Sequence, residues 1–156
     1  LAERLLQGAE RLTSQLESAG LAPPLRVLNL AGRQRMLSQR FSKYALLALA
    51  GEGAAVDLAQ ASMHAAQREF EAALTYLNGI PLSAPDIHAA LGAAGVAWLQ
   101  MVAAAHDAQR LGGSKRSARL QELAAGSETL LTLFEQLSTH YERSMHMLLG
   151  EPDTKG

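Results

Sequence analysis

Clusters of glycine and proline divide this chain from Gly20 to Pro24, from Gly51 to Gly53, from Gly79 to Pro85 and at Gly112-Gly113. The segments between them are rich in Ala, Leu, Gln and Glu and poor in β-branched residues, and the breakers recur every ~25 to 35 residues, so each segment favours helix. A chain patterned this way is all-α. Helices are expected over about Leu25 to Ala50, Ala54 to Leu77, Ser83 to Leu111 and Ser114 to Leu149, with an additional N-terminal helix over about Glu3 to Ser18. Pro23-Pro24 lacks amide hydrogens and marks a point that helix cannot cross. Ser83, and Ser114 or Ser117, are candidate caps. Short connections make neighbours antiparallel, so the expected architecture is an up-down-up-down four-helix bundle over residues 23–150. Residues 151–156 read as a tail.

The helix within residues 1–22 is a candidate for the end of a preceding module. Gly8, Glu10, Leu12 and Glu17 recur at the same spacing as Gly126, Glu128, Leu130 and Glu135. The chain begins with Leu1 rather than methionine, as expected of an excised or processed piece. No apolar run is read as long enough to span a bilayer, which takes about 18 to 20 residues, so any membrane segment is expected outside this sequence.

Charge narrows the function classes. The 14 Lys and Arg against 15 Asp and Glu give a net charge of -1, and aromatic residues make up 4%. Nucleic-acid binders carry a basic footprint across the domain or aromatic stacking platforms, so nucleic acid is not an expected partner. With no cysteine there is no disulfide, thiolate metal site or Cys nucleophile. Yet between Glu17 and Glu52 lie Arg26, Arg33, Arg35, Arg40 and Lys43 without one acid. The positive charge is local, and a local partner should explain it.

On a helix at about 100° per residue, Leu30, Leu37, Phe41, Tyr44 and Ala48 share an arc of about 60° and form the expected core stripe. Leu28, Ala31, Gly32, Arg35, Gln39, Ser42, Leu46 and Leu49 occupy a second arc of roughly 100°, semi-apolar and holding one arginine. Arg33, Arg40 and Lys43 lie between the two and are expected in solvent. No acid stands within four residues of Arg35 on its own helix, so no local pair neutralises it. Gly32 costs the helix about 1 kcal/mol against Ala, and a close backbone approach is the usual compensation. A symmetric dimer of this helix would bring two Arg35 side chains near its axis, where they repel unless an anion lies between them.

Other chemistry is thin. His64, His88, His106, His140 and His146 form neither a Glu-x-x-His pair nor a His-Glu-x-x-His motif. Glu142 and His146, one turn apart and near His140, supply too few ligands for a metal and read as solvated. Met36, Met63, Met101, Met145 and Met147 read as gap fillers rather than haem ligands, and Trp98 as core. No nucleophile elbow or phosphate loop is present. No enzyme and no cofactor are expected.

The run Asn29-Leu30-Ala31-Gly32-Arg33-Gln34-Arg35-Met36-Leu37-Ser38-Gln39-Arg40 resembles the motif of PilJ-type sensor domains, the N-terminal domains of type IV pili methyl-accepting chemotaxis transducers. It is similar, more loosely, to the Ala-Gly-x-x-Arg-Met box of nitrate and nitrite sensor kinases. The rest of the chain resembles the family in helical layout and length. The resemblance implies a four-helix sensory domain in the periplasm or otherwise extracytoplasmic, acting as a homodimer that binds nitrate, nitrite or a similar small anion between two copies of the motif helix. Arg35 would contact the anion beside Gly32, and Leu28, Ala31 and Gln39 would line the same pocket by helical spacing. A planar guanidinium suits a planar, weakly hydrated anion better than an ammonium does. The alternative expectation is a helical interaction or assembly module that uses this face without a small ligand.

Overall fold

The computed structural model describes residues 22–80 and 84–148. It holds four helices, α1 (Ala22–Ala50), α2 (Ala54–Gly79), α3 (Pro85–Arg110) and α4 (Gly113–Leu148), and no strand among the described residues. The N-terminal helix expected over Glu3 to Ser18, the cap at Ser83 and the tail at 151–156 lie outside them.

Local chemistry sets the ends. α1 is described from Ala22, so Pro23 and Pro24 belong to the helix rather than preceding it. Where such a pair falls in a helix's first turn, the missing amide hydrogens cost little. Gly53, at φ +63°, opens α2 in a left-handed conformation that other residues adopt at a cost. α4 likewise opens on Gly113 at φ +59°, one residue earlier than expected. Ser114 and Ser117 are therefore inside the helix, and the Ser117 hydroxyl donates back to the Gly113 carbonyl rather than capping. The end of α3 is closed from the other side of the turn: Arg116 Nε donates to the carbonyls of Ala108 at 3.0 Å and Leu111 at 2.8 Å. A cation at a helix C-terminus also complements the macrodipole.

Pairings fix the course of the chain. Arg26 lies over the Tyr76 ring and Gln34 reaches Phe70, so numbers rise on α1 as they fall on α2. His64 faces His106 and Phe70 stacks on Trp98 between α2 and α3. Asp107 meets Arg119 across α3 and α4, and Arg35–Glu135 with Gln39–Ser127 join α1 to α4. Each of these neighbours is antiparallel, and α4 beside α1 closes the bundle.

Each helix sends one aromatic side chain into a central layer: Phe41, Phe70, Trp98 and Phe134, all buried. Phe70 stacks on Trp98 with centroids 3.9 Å apart, Phe41 tilts against Trp98 at 4.9 Å, and Phe134 meets Phe70 edge-on at 5.8 Å. The Trp98 indole donates to Glu71 at 3.1 Å, which satisfies its one polar atom. Met63 and Met101 fill gaps in the core, whereas Met36 and Met147 are exposed.

α3 and α4 approach so closely that a Cβ on Gly126 would overlap Met101 Cγ. By length and mean hydropathy alone α3 would cross a bilayer, against the expectation that no segment would. Small residues raise its hydropathy, and ten of its side chains pack into the core of the bundle.

Candidate functional site

The buried face of α1 is wider than its sequence periodicity implies. Leu37, Phe41 and Ala48 are buried as expected, but Leu30 and Tyr44 stand at the margin, and Val27, Ala31, Gln34, Ser38 and Ala45 join the core. α1 packs against both α2 and α4, so the arc shielded from water spans both contacts rather than the ~60° of one stripe. Two polar residues lie at its centre, both with no accessible surface. Gln34 Nε2 donates to the Phe70 carbonyl at 2.9 Å, and the Ser38 hydroxyl donates to the Arg35 carbonyl at 2.9 Å. A hydrophobic count passes over both, although the spacing of Gln34, Ser38 and Phe41 places them on one face.

The opposite side of α1 is cationic and partly apolar. Asn29, Arg33, Met36, Gln39, Arg40, Lys43, Leu46 and Leu47 are exposed, with Gly32 half-buried among them. Arg33 is held by Glu69 of α2, its Nη2 donating at 3.2 and 3.3 Å. It is therefore an exposed ion pair rather than a free cation. Lys43 sits over its neighbour's ring at Tyr44, 5.6 Å from the centroid. Arg40 borders a small groove of about 220 Å³ between α1 and α2, with Tyr44, Ser62 and Glu69.

Arg35 is half-buried on the flank of α1 that faces α4. The acid missing from its own helix comes from Glu135, far along the sequence, with Nη1 to Oε1 at 3.7 Å. That distance is beyond a hydrogen bond, and with the two side chains 41% and 65% exposed the pair holds the guanidinium weakly. The guanidinium thus keeps donors for another acceptor. Gln39, one turn on, donates to the hydroxyl of Ser127 on α4, which is itself buried.

The five residues singled out by spacing do not all share one surface. Arg35, Gly32 and Gln39 lie together on the α4 side of the exposed face, and Leu28 is at its edge, half-buried against the core. Ala31 has no exposed surface and belongs to the interior. It cannot line a pocket at an outer face, because its methyl projects into the packed core of the bundle. Around Gly32 the finding is the reverse: a Cβ there would meet nothing within 4 Å. Packing inside this chain does not require a glycine at that position.

Among the described residues no three His, Asp or Glu side chains converge to hold a metal ion. The profile of the PilJ family, described as the type IV pili methyl-accepting chemotaxis transducer N-terminal domain, matches residues 25–125. The match begins at the start of the cationic helix, takes in α2 and α3 whole and covers well over half of the chain. The chain belongs to the PilJ family. This is a family of sensory domains of chemotaxis transducers rather than of enzymes, which gives the domain a signalling sensor role. No curated protein and no solved structure matches it.

Proposed function

We propose that this PilJ domain recognises nitrate, nitrite or a similar small anion at an interface between two copies of α1, and that it works on the periplasmic side of a membrane carried by segments outside this chain. Gly32 carries the reading. It costs the helix about 1 kcal/mol, nothing within the protomer crowds its Cβ position, and it lies one turn from Arg35. A second helix crossing at Gly32 would bring two guanidiniums together, and an anion between them would relieve their repulsion. Each Arg35 would exchange a long contact to Glu135 for short charge-assisted bonds to the ligand. Gln39 and Leu28 stand beside that position and complete its polar and apolar walls. The output is a shift of α1 against α4, which the ligand can bias only as far as it binds the two arrangements differently.

The test is calorimetric titration with nitrate, then nitrite, at fixed ionic strength with chloride as the balancing anion, and sedimentation alongside. The expected result is saturable binding at one anion per two chains, selective over chloride. Arg35→Ala and Arg35→Lys should both abolish it while circular dichroism stays helical, because lysine keeps the charge but not the fork. Undiminished affinity in those variants would refute the assignment and leave α1 as a surface for protein assembly.

A further inference from the structure

A second charged constellation lies on the flank of α4 turned away from Glu135. Over the first two and a half turns of α3, Ala89, Ala90 and Ala93 line a gap shared with α4 that their methyls are too short to fill, while Ile87 and Leu91 of the same turns are buried in the core. Further along the same helix pair, Gly126 lets Met101 close that gap. The difference opens a groove of about 620 Å³, floored by the three alanines and Leu133, and bordered by Asp86, Gln136, Thr139, His140 and Arg143. That volume lies within the usual range of small-molecule sites, about 300 to 1,000 Å³.

The charges in this groove are unspent. Asp86 and Arg143, like several exposed charges elsewhere on the bundle, have no ion-pair partner among the described residues, and although both border this groove they do not pair with each other. A carboxylate and a guanidinium that border one groove without meeting leave room for a molecule carrying both complementary charges. A simple anion drawn to Arg143 would also meet the Asp86 carboxylate, and a simple cation the reverse. A zwitterion satisfies both.

We propose that this groove binds a free α-amino acid with an apolar side chain. Its carboxylate takes the Arg143 fork, its ammonium donates to Asp86, and its side chain covers the alanine floor against Leu133. Gln136 offers its amide to the remaining carboxylate lone pairs, with His140 beside it, while the Thr139 hydroxyl is already donated to the Glu135 carbonyl at 3.1 Å. The site shares no residue with the α1 face, so the two readings stand or fall separately.

The test is titration of the domain with L-leucine, N-acetyl-L-leucine and L-leucinamide, followed by calorimetry and by amide chemical shifts. Saturable binding of L-leucine is expected, with each capped analogue weakened at least about tenfold, the size of one lost charged hydrogen bond. Asp86→Asn should weaken L-leucine by a similar factor and spare N-acetyl-L-leucine, while Arg143→Gln weakens both; neither variant should change the nitrate response assigned to α1. Absence of saturable binding up to tens of millimolar would overturn the proposal, as would equal affinity for the three compounds. The analogue series on the unaltered domain keeps the proposal falsifiable even where a variant loses helicity.

Discussion

Replacing Gly32 by alanine should stabilise the single chain and weaken its pairing, an opposition that ordinary packing does not produce. Gly32 is interior to a helix of 29 residues, and a methyl built on it meets nothing within 4 Å. The local consequence is the intrinsic preference alone, about 0.5 to 1 kcal/mol in favour of Ala. For a chain of this length that raises the melting temperature by roughly 2 to 4 °C per kcal/mol. Between two copies of α1 the same methyl occurs twice at the point of approach, and overpacking of about 1 to 3 kcal/mol there corresponds to roughly a 5- to 150-fold loss in association. Thermal and urea unfolding by circular dichroism at low protein concentration without nitrate reads the first effect; sedimentation across a nitrate series reads the second. Gly32→Leu should show the second more strongly. A less stable chain in Gly32→Ala would mean that the glycine answers to packing within the protomer. Nitrate-linked association that is unchanged would place the interface elsewhere.

Three further outcomes follow from particular contacts. Glu135→Gln removes the carboxylate that pairs with Arg35 among the described residues, so anion affinity should rise about two- to fivefold by titration, the scale of a surface ion pair; weaker binding would mean that Glu135 orients the guanidinium rather than competing for it. Gly126→Val forces the Met101 side chain to shift and should destabilise the bundle by about 1 to 3 kcal/mol in urea unfolding, while a neutral result would show that Met101 has room to move. Burial pushes the Tyr141 phenol from 10.0 up to about 12, and its hydroxyl has no hydrogen-bond partner among the described residues. The folded state then keeps a proton that the unfolded chain releases, so this contribution is full below pH 10.0 and is lost as pH rises towards about 12. Tyr141→Phe should retain stability at neutral pH and flatten the alkaline decline, and an identical decline in the variant would assign it to other groups.

The four helices of the described residues and their approximate bounds were legible from the chain because they depend on neighbours in sequence. Gly51, Gly53 and Gly112-Gly113 punctuate α1, α2, α3 and α4 through backbone preferences that act within a few residues. Pro23-Pro24, expected before the helix, lie within α1 as described from Ala22, since a proline pair ends one helix or begins another depending on which side the chain continues. The motif around Gly32 and Arg35 was also legible, because consecutive residues of mixed chemistry carry more information than the composition around them.

Tertiary structure decided which of those residues face outward. A single helix cannot reveal how many neighbours cover it, so the burial of Ala31, Gln34 and Ser38 followed only from α2 and α4 packing on both flanks of α1. Glu135 reached Arg35 for the same reason: the acid is distant in sequence and local only in space. The groove between α3 and α4 depends on three short alanines opposing Leu133 across a helix pair, a volume no linear pattern encodes. The sequence by itself determined where helix forms and where cationic chemistry concentrates, because propensity and charge are properties of residues. Exposure, pairing and empty space are properties of contacts, and only the folded bundle decided those.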